Sequence, residues 1–193
     1  MTRKLPINNF SFSLLNEDVD VSSFRCGESD LTEFLIDDAL DNQIARLSVT
    51  RLVSYEGQIV GFFTLTNDCI IRKGISDDDG EEWYPYPHYP ALKIARLATH
   101  QEFEGQGVGR AMLLKTVAIA MRLSQYVGCR MITVDSKPKS EGFYLKYGFQ
   151  RALMKKKKDT IPLYRDFYRS CQEVKRSMNP PLSVFDGSGR RGP

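Results

Sequence analysis

Residues 92–134 restrict the fold of this chain more than any other segment. Residues 92–99 alternate apolar and polar side chains, as a strand does, and lead into a glycine-rich turn at 102–109. A helical pattern follows at 108–126, and residues 129–134 are almost wholly apolar, which is typical of a central parallel strand. This order predicts a β-α-β unit and therefore a mixed α/β fold.

The helix of this unit is predicted to have one buried face and a glycine cap. Ala111, Leu114, Ala118 and Met121 recur at helical spacing, so we expect these four side chains to face the core. Gly128 is expected to cap the carboxyl end, because glycine adopts the left-handed conformation that ends many helices.

Shorter elements are predicted outside this unit. Asp30 followed by Glu33 has the pattern of a capping box at the start of a helix, and a second short helix is expected at 140–147. Two hairpins are also expected, with strands at 49–55 and 59–66 and at 149–154 and 161–164, after a first strand at 10–15.

Two segments depart from this regular pattern. Residues 74–90 are acidic, aromatic and proline-rich, and Pro85, Pro87 and Pro90 predict a long loop, either functional or a plain surface excursion. The length of 193 residues favours one domain, which we place at 1–170, followed by a polar, flexible tail at 171–193.

Composition narrows the class of protein. The net charge of +3 does not by itself indicate a nucleic-acid binder. No apolar run approaches the ~20 residues of a membrane span, and no signal core is present. The cysteines and histidines lack metal-site spacing, so we expect no metal and reduced thiols in a cytoplasmic protein. These residues are Cys26, Cys69, Cys129, Cys171, His88 and His100.

The glycine turn is a candidate phosphate site. Gly105, Gly107 and Gly109 precede or open the helix, where unpaired N–H groups and a partial positive charge attract anions, and Arg110 adds a cation. A plain strand-to-helix turn is the alternative. The pattern of a nucleotide-triphosphate loop is absent, and Arg110 replaces the third glycine of a dinucleotide fingerprint.

The stretch IARLATHQEFEGQGVGRAML resembles the central motif of the GNAT superfamily of N-acyltransferases, whose loop reads Q/R-x-x-G-x-G/A. Gly107 and Gly109 match its glycines, and Glu104 stands where Gln or Arg is usual. FYLKYGF at 143–149 resembles the second motif of the family. The resemblance covers roughly residues 10–168. It implies a single domain with a twisted mixed sheet of six to seven strands, flanking helices and a split central strand pair.

This resemblance implies acetyl-CoA as co-substrate and direct attack by a primary amine, with no covalent enzyme intermediate. The pantetheine arm would pair with Leu97, Ala98 and Thr99. The pyrophosphate would lie on Gly105, Gln106, Gly107, Val108, Gly109 and Arg110. Lys137 replaces an asparagine of the family and is expected at a CoA phosphate.

Tyr144 matches the family's general acid, which protonates the leaving thiolate, and Tyr147 is the rival one turn on. Asp135, Glu141 and Glu102 are candidate bases for the amine, although no pattern singles one out, and Asp135 is equally suited to a capping role.

The front of the chain resembles a narrower group. Phe24-x-Cys26-Gly27, Leu31-x-x-Phe34-Leu35 and GFFTL at 61–65 resemble the acetyltransferase toxins of toxin–antitoxin modules and their stand-alone relatives. Those toxins acetylate the amino group of aminoacyl-tRNA, which implies tRNA and an antitoxin as partners.

Other acceptors stay open at this point. The loop at 74–90 and VDSKPKSEGFY look more like the stand-alone relatives, so a small-molecule or protein amine is an alternative acceptor. A non-catalytic module that senses CoA or docks a partner is another alternative, and a homodimer is one candidate assembly. The lysine run at 155–158 is either an RNA-backbone contact or a solvated charge run.

Overall fold

The computed structural model describes residues 4–153 and 159–169. Within these ranges the chain forms a mixed sheet of seven strands with flanking helices, which confirms the expected fold class. The strands are β1 (Ser11–Leu14), β2 (Val49–Tyr55), β3 (Gln58–Ile71), β4 (His88–Thr99), β5 (Met131–Ser136), β6 (Gln150–Arg151) and β7 (Ile161–Asp166). The α-helices are α1 (Ser29–Glu33), α2 (Ala39–Ile44), α3 (Val108–Leu123) and α4 (Glu141–Lys146), and a π-helical segment (Phe34–Asp38) joins α1 to α2. The lysine run at 155–158 and the tail at 171–193 lie outside the described residues.

The central strands separate as the family resemblance implies. The sheet order is β1-β2-β3-β4-β5-β7-β6, and β4 and β5 are parallel. Their pairing runs only from Ala91 opposite Met131 to Ile94 opposite Val134. A β-bulge at Ala95 then shifts the register of β4 against β3. Beyond this point β4 leaves β5, which continues against β7, and a gap opens toward the carboxyl ends of both strands.

The predicted buried face of α3 is wrong. Leu114, Ala118 and Met121 are exposed, and only Ala111 of the predicted four is buried. The buried residues are Val108, Ala111, Met112, Leu113, Thr116 and Ala120. Apolar side chains occur on every side of this helix, so spacing alone does not identify the face that meets the sheet. The helix also ends at Leu123 with Ser124 as its cap, and Gly128 therefore has no capping role.

Other boundaries also differ from the predictions, and β3 continues to Ile71 rather than ending at residue 66. The first helix begins at Ser29 with Glu28 as N-cap and no side-chain cap, so Asp30 lies inside the first turn and the predicted capping box does not form. Strand β4 begins at His88, within the predicted loop. Pro90 is tolerated at this position. Its carbonyl accepts from the Arg130 N–H at 2.9 Å and therefore faces the β5 side of the strand. The N–H that proline lacks would face the same side, where β5 has not yet begun.

Apolar clusters cover both faces of the sheet. The larger cluster lies under α3 and α4, and a second packs α1, α2 and the π-helical segment against β2, β3 and β4. No helix among the described residues is long and apolar enough to cross a membrane.

Candidate active site

A cavity of about 850 Å³ opens where β4 and β5 separate. Its walls come from the end of β4, the glycine turn, α4, the segment before α1 and the first described residues of the chain. Of the predicted cofactor residues, those that line it are Leu97, Ala98, Thr99, Gly105, Gly107, Val108, Gly109 and Arg110. Gln106 does not line it. Its side chain donates to the Glu102 carbonyl at 2.8 Å, and its own carbonyl accepts from the Leu5 N–H at 2.9 Å.

The glycine turn places the start of α3 in the cavity wall. Gly105 and Gly107 have φ values of 75° and 99°, which glycine adopts without strain, and Gly107 is the N-cap of α3. The N–H groups that follow Gly107 have no partner within the helix. A Cβ added at Gly107 would meet no atom within 4 Å, so the turn leaves room for an anion.

Two further glycines allow close packing around this turn. A Cβ at Gly109 would lie 3.0 Å from two ring carbons of Phe143, so Gly109 lets α4 approach α3. A Cβ at Gly61 would lie 2.9 Å from Cγ1 of Val108 and 3.0 Å from the carbonyl oxygen of Ala98. Gly61 therefore seats the first turn of α3 on the sheet, a role that no local pattern around residue 61 indicates.

Tyr144 projects from α4 into the cavity wall. Its ring packs edge-on against Phe143 and Phe149 at centroid distances of 5.1 and 5.4 Å. Burial raises the pKa of Tyr144 well above its ordinary value, because the phenolate would lose its hydration. No described residue forms a hydrogen bond with the hydroxyl group, so its proton is available to a ligand. Tyr147 also lines the cavity but is less buried.

The three candidate bases lie outside this cavity. Asp135 accepts from Lys93 at 2.9 Å, Glu141 pairs with Arg151, and Glu102 is exposed. The carboxylates that do line the cavity are Glu28 and Glu104.

Lys137 does not line the cavity. Its ammonium lies 2.5 Å from Glu28 and 2.8 Å from Asp30, and Lys139 also pairs with Glu28. These four residues form an ion-pair clasp that joins the segment after β5 to the start of α1. The clasp therefore ties the two sides of the strand gap together, and the ammonium expected at a CoA phosphate is already paired.

The cysteines of the described ranges are free thiols. Burial raises the pKa of Cys129 to about 11 and also raises that of Cys26, which lines the cavity. Both side chains are therefore neutral thiols near pH 7, and neither is an activated nucleophile. His100 is buried and accepts from the Glu102 N–H at 3.3 Å.

The family profile of the acetyltransferase (GNAT) domain matches residues 48–151, which include the strand gap, the glycine turn and α4. The chain belongs to the GNAT acetyltransferase family. It is an acyl-CoA-dependent N-acyltransferase with acetyl-CoA as co-substrate.

Individual relatives agree with this assignment. A tRNA-acetylating toxin of Mycobacterium tuberculosis (strain H37Rv) is 26% identical over 133 residues, which cover 68% of this chain and 78% of the relative. A structure of AtaT complexed with acetyl-methionyl-tRNAfMet has a TM-score of 0.77 and 21% identity, covering 86% of this chain and 99% of AtaT. A mutant AtaT toxin bound to the C-terminus of the antitoxin AtaR and acetyl-CoA has a TM-score of 0.68 and 20% identity, covering 86% and 97%. The two structures show the shared fold.

Proposed function

We propose that this enzyme acetylates the α-amino group of an aminoacyl-tRNA in the cytoplasm. The similarity to a tRNA-acetylating toxin over 133 residues is the observation that carries this choice of acceptor. The cavity supports it. Of the two described carboxylates that line the cavity, Glu28 is paired with lysines and Glu104 lies on the glycine turn. An α-amino group with a pKa near 7.7–8.0 needs little help to lose its proton, whereas a lysine near 10.4 would need a base.

For the cofactor, we propose that Leu97, Ala98 and Thr99 hold the pantetheine arm through their backbone. Their side of β4 has no β5 partner beyond Ile94, which leaves edge N–H and carbonyl groups available. The N–H groups at the start of α3, together with Arg110, would hold the pyrophosphate.

Tyr144 is the proposed general acid. Acetyl-CoA supplies the activated acetyl group as a thioester. The acceptor nitrogen forms the new bond to the acetyl carbon as the carbon–sulfur bond breaks, and the Tyr144 hydroxyl donates its proton to the departing sulfur. The amine loses its surplus proton to solvent, and solvent then returns a proton to Tyr144.

A protein antitoxin is the proposed partner, by analogy with the AtaT complex that contains the C-terminus of AtaR. Expression of this chain alone should arrest growth of a bacterial host, and co-expression of a cognate antitoxin should relieve the arrest. Arrest that persists in a Tyr144→Phe variant would separate toxicity from acetylation.

The acceptor is tested by supplying acetyl-CoA with charged tRNA, free amino acids or polyamines and following thiol release. We expect transfer to charged tRNA at the highest kcat/KM. Formyl-methionyl-tRNA is the matched control, because its α-amino group is blocked while the RNA is unchanged, and it should not react. Faster transfer to a small amine would replace the tRNA proposal.

A further inference from the structure

The first described residues of the chain form one wall of the cofactor cavity. Residues 4–8 all line it, and Phe103 lines it beside them. Leu5 donates its N–H to the Gln106 carbonyl at 2.9 Å and packs against the main apolar cluster. This segment is therefore attached to the glycine turn itself.

The charges of the cavity narrow the possible role of this wall. Four cationic side chains line it, namely Lys4, Arg110, Lys139 and Lys146. Lys139 is paired with Glu28. The other three have no ion pair with any carboxylate in the described ranges, and Arg110 stands at the start of α3 beside the proposed pyrophosphate position. Lys4 and Lys146 are left for a further anionic group.

The linear order of CoA distinguishes these two lysines. Pantetheine, pyrophosphate and 3′-phosphoadenosine follow one another in the cofactor. With pantetheine on Leu97–Thr99 and pyrophosphate on the glycine turn, the adenosine end must lie on a wall next to that turn. Leu5 is bonded to the turn and holds residues 4–8 beside it, whereas Lys146 is carried on α4 with the proposed catalytic Tyr144.

We infer that residues 4–8 form the subsite for the 3′-phosphoadenosine end of acetyl-CoA, where Lys4 pairs with the 3′-phosphate and the apolar side chains of Pro6 and Ile7 pack against adenine. This inference rests on the proposed cofactor site and is independent of the acceptor. The 3′-phosphate is dianionic and an exposed ammonium forms charge-assisted hydrogen bonds with it, so the contact favours CoA over dephospho-CoA.

Calorimetry with CoA and dephospho-CoA, without any acceptor, tests the inference. We expect the wild-type protein to bind CoA about three- to tenfold more tightly than dephospho-CoA, the range for a partly exposed charge-assisted contact. Lys4→Ala should bring this ratio close to one and leave dephospho-CoA affinity unchanged. Lys4→Arg should restore most of the preference, and Lys146→Ala, the matched control, should retain it.

The other outcomes are equally informative. A Lys4→Ala protein with the wild-type ratio overturns the inference, as does a wild-type protein that binds both ligands equally. Loss of the ratio in Lys146→Ala alone moves the phosphate subsite to α4. Failure of the wild-type protein to bind either ligand would instead remove the proposed cofactor site, so the two failures are distinguishable.

Discussion

Tyr164 and Tyr144 are both buried tyrosines, but only the Tyr164 hydroxyl has hydrogen-bond partners among the described residues. Tyr164 lies under the segment that follows β3, where its hydroxyl donates to Asp79 at 2.7 Å and accepts from the Ser76 N–H at 2.8 Å. Tyr144 lies at the strand gap, where no described residue bonds to its hydroxyl. A buried polar group without a partner is costly, so native structures retain few of them. The Tyr164 hydroxyl is paired accordingly, whereas the Tyr144 hydroxyl borders the cavity, where a ligand can bond to it.

The Arg130 side chain and the first N–H groups of α3 show the same contrast. The Arg130 guanidinium contacts Asp166 at 2.8 Å and Glu81 at 2.8 Å, so charges are paired near the amino end of β5. At the carboxyl end of β4, the first N–H groups of α3 face a cavity with no internal partner. Arg130 has its partners within the protein, whereas the start of α3 has donors left for a ligand.

The largest expected effect comes from breaking the paired region. Arg130→Ala leaves Asp166, whose side chain is 2% exposed, without its principal cation. We expect the free energy of unfolding to fall by about 3–5 kcal/mol, with kcat of the folded protein retained. Urea denaturation and active-site-normalised kinetics measure the two quantities.

Arg169→Ala is the matched control for this prediction. Arg169 pairs with Asp79 in the same region, but its side chain is 48% exposed, so its loss should change stability by less than about 1 kcal/mol. A large fall in kcat for folded Arg130→Ala would show that the two regions are coupled.

At the glycine turn, Gly107→Glu should weaken CoA binding by about 100-fold. The new carboxylate would occupy the space proposed for the pyrophosphate and would repel its negative charge. Gly107→Ala is the control, since at a φ of 99° it bears the same backbone strain without the charge. Calorimetry on both proteins separates the two causes. Equal losses would attribute the effect to strain alone.

Tyr144→Phe should lower kcat by about 100-fold, a typical contribution of a general acid, with CoA affinity nearly unchanged. Tyr147→Phe should keep kcat within about threefold, because Tyr144 is the proposed acid. Steady-state kinetics and calorimetry test both variants. If the large loss appears in Tyr147→Phe instead, the acid is Tyr147.

Tyr164→Phe is the counterpart in the paired region. It removes two hydrogen bonds from a fully buried ring and leaves Asp79 without the hydroxyl. We expect a loss of about 1–3 kcal/mol in unfolding free energy and an unchanged kcat, measured by denaturation and kinetics. An unchanged stability would contradict the contrast between the two tyrosines.

The smallest expected effect is the absence of a fall in kcat at alkaline pH. The phenol of Tyr144 donates only when protonated, and burial raises its pKa above the ordinary 10.0 by disfavouring the phenolate. The kcat should therefore rise as the acceptor amine is deprotonated near pH 8 and show no fall up to pH 10. A pH–rate profile that declines well below pH 10 would point to a different acid.

The sequence by itself determined the β-α-β unit, the glycine turn and the placement of Tyr144 on a short helix. Each depends on neighbouring residues: apolar runs predict strands, and glycines permit the positive φ values seen at Gly105 and Gly107. The pattern of residues 143–149 places Tyr144 in the same local way, and the structure locates it in the cavity wall.

The tertiary structure alone decided which residues from distant segments complete the site. Lys137 pairs with Glu28, which is 109 residues away in the sequence, and Leu5 bonds to Gln106. Neither contact can be predicted from the spacing of neighbouring residues. The buried face of α3 was also beyond the sequence, because its apolar residues surround the helix and tertiary contacts, such as that of Val108 over Gly61, select one side. Local sequence patterns encode backbone conformation, whereas contacts between distant segments depend on packing and charge pairing in the folded chain.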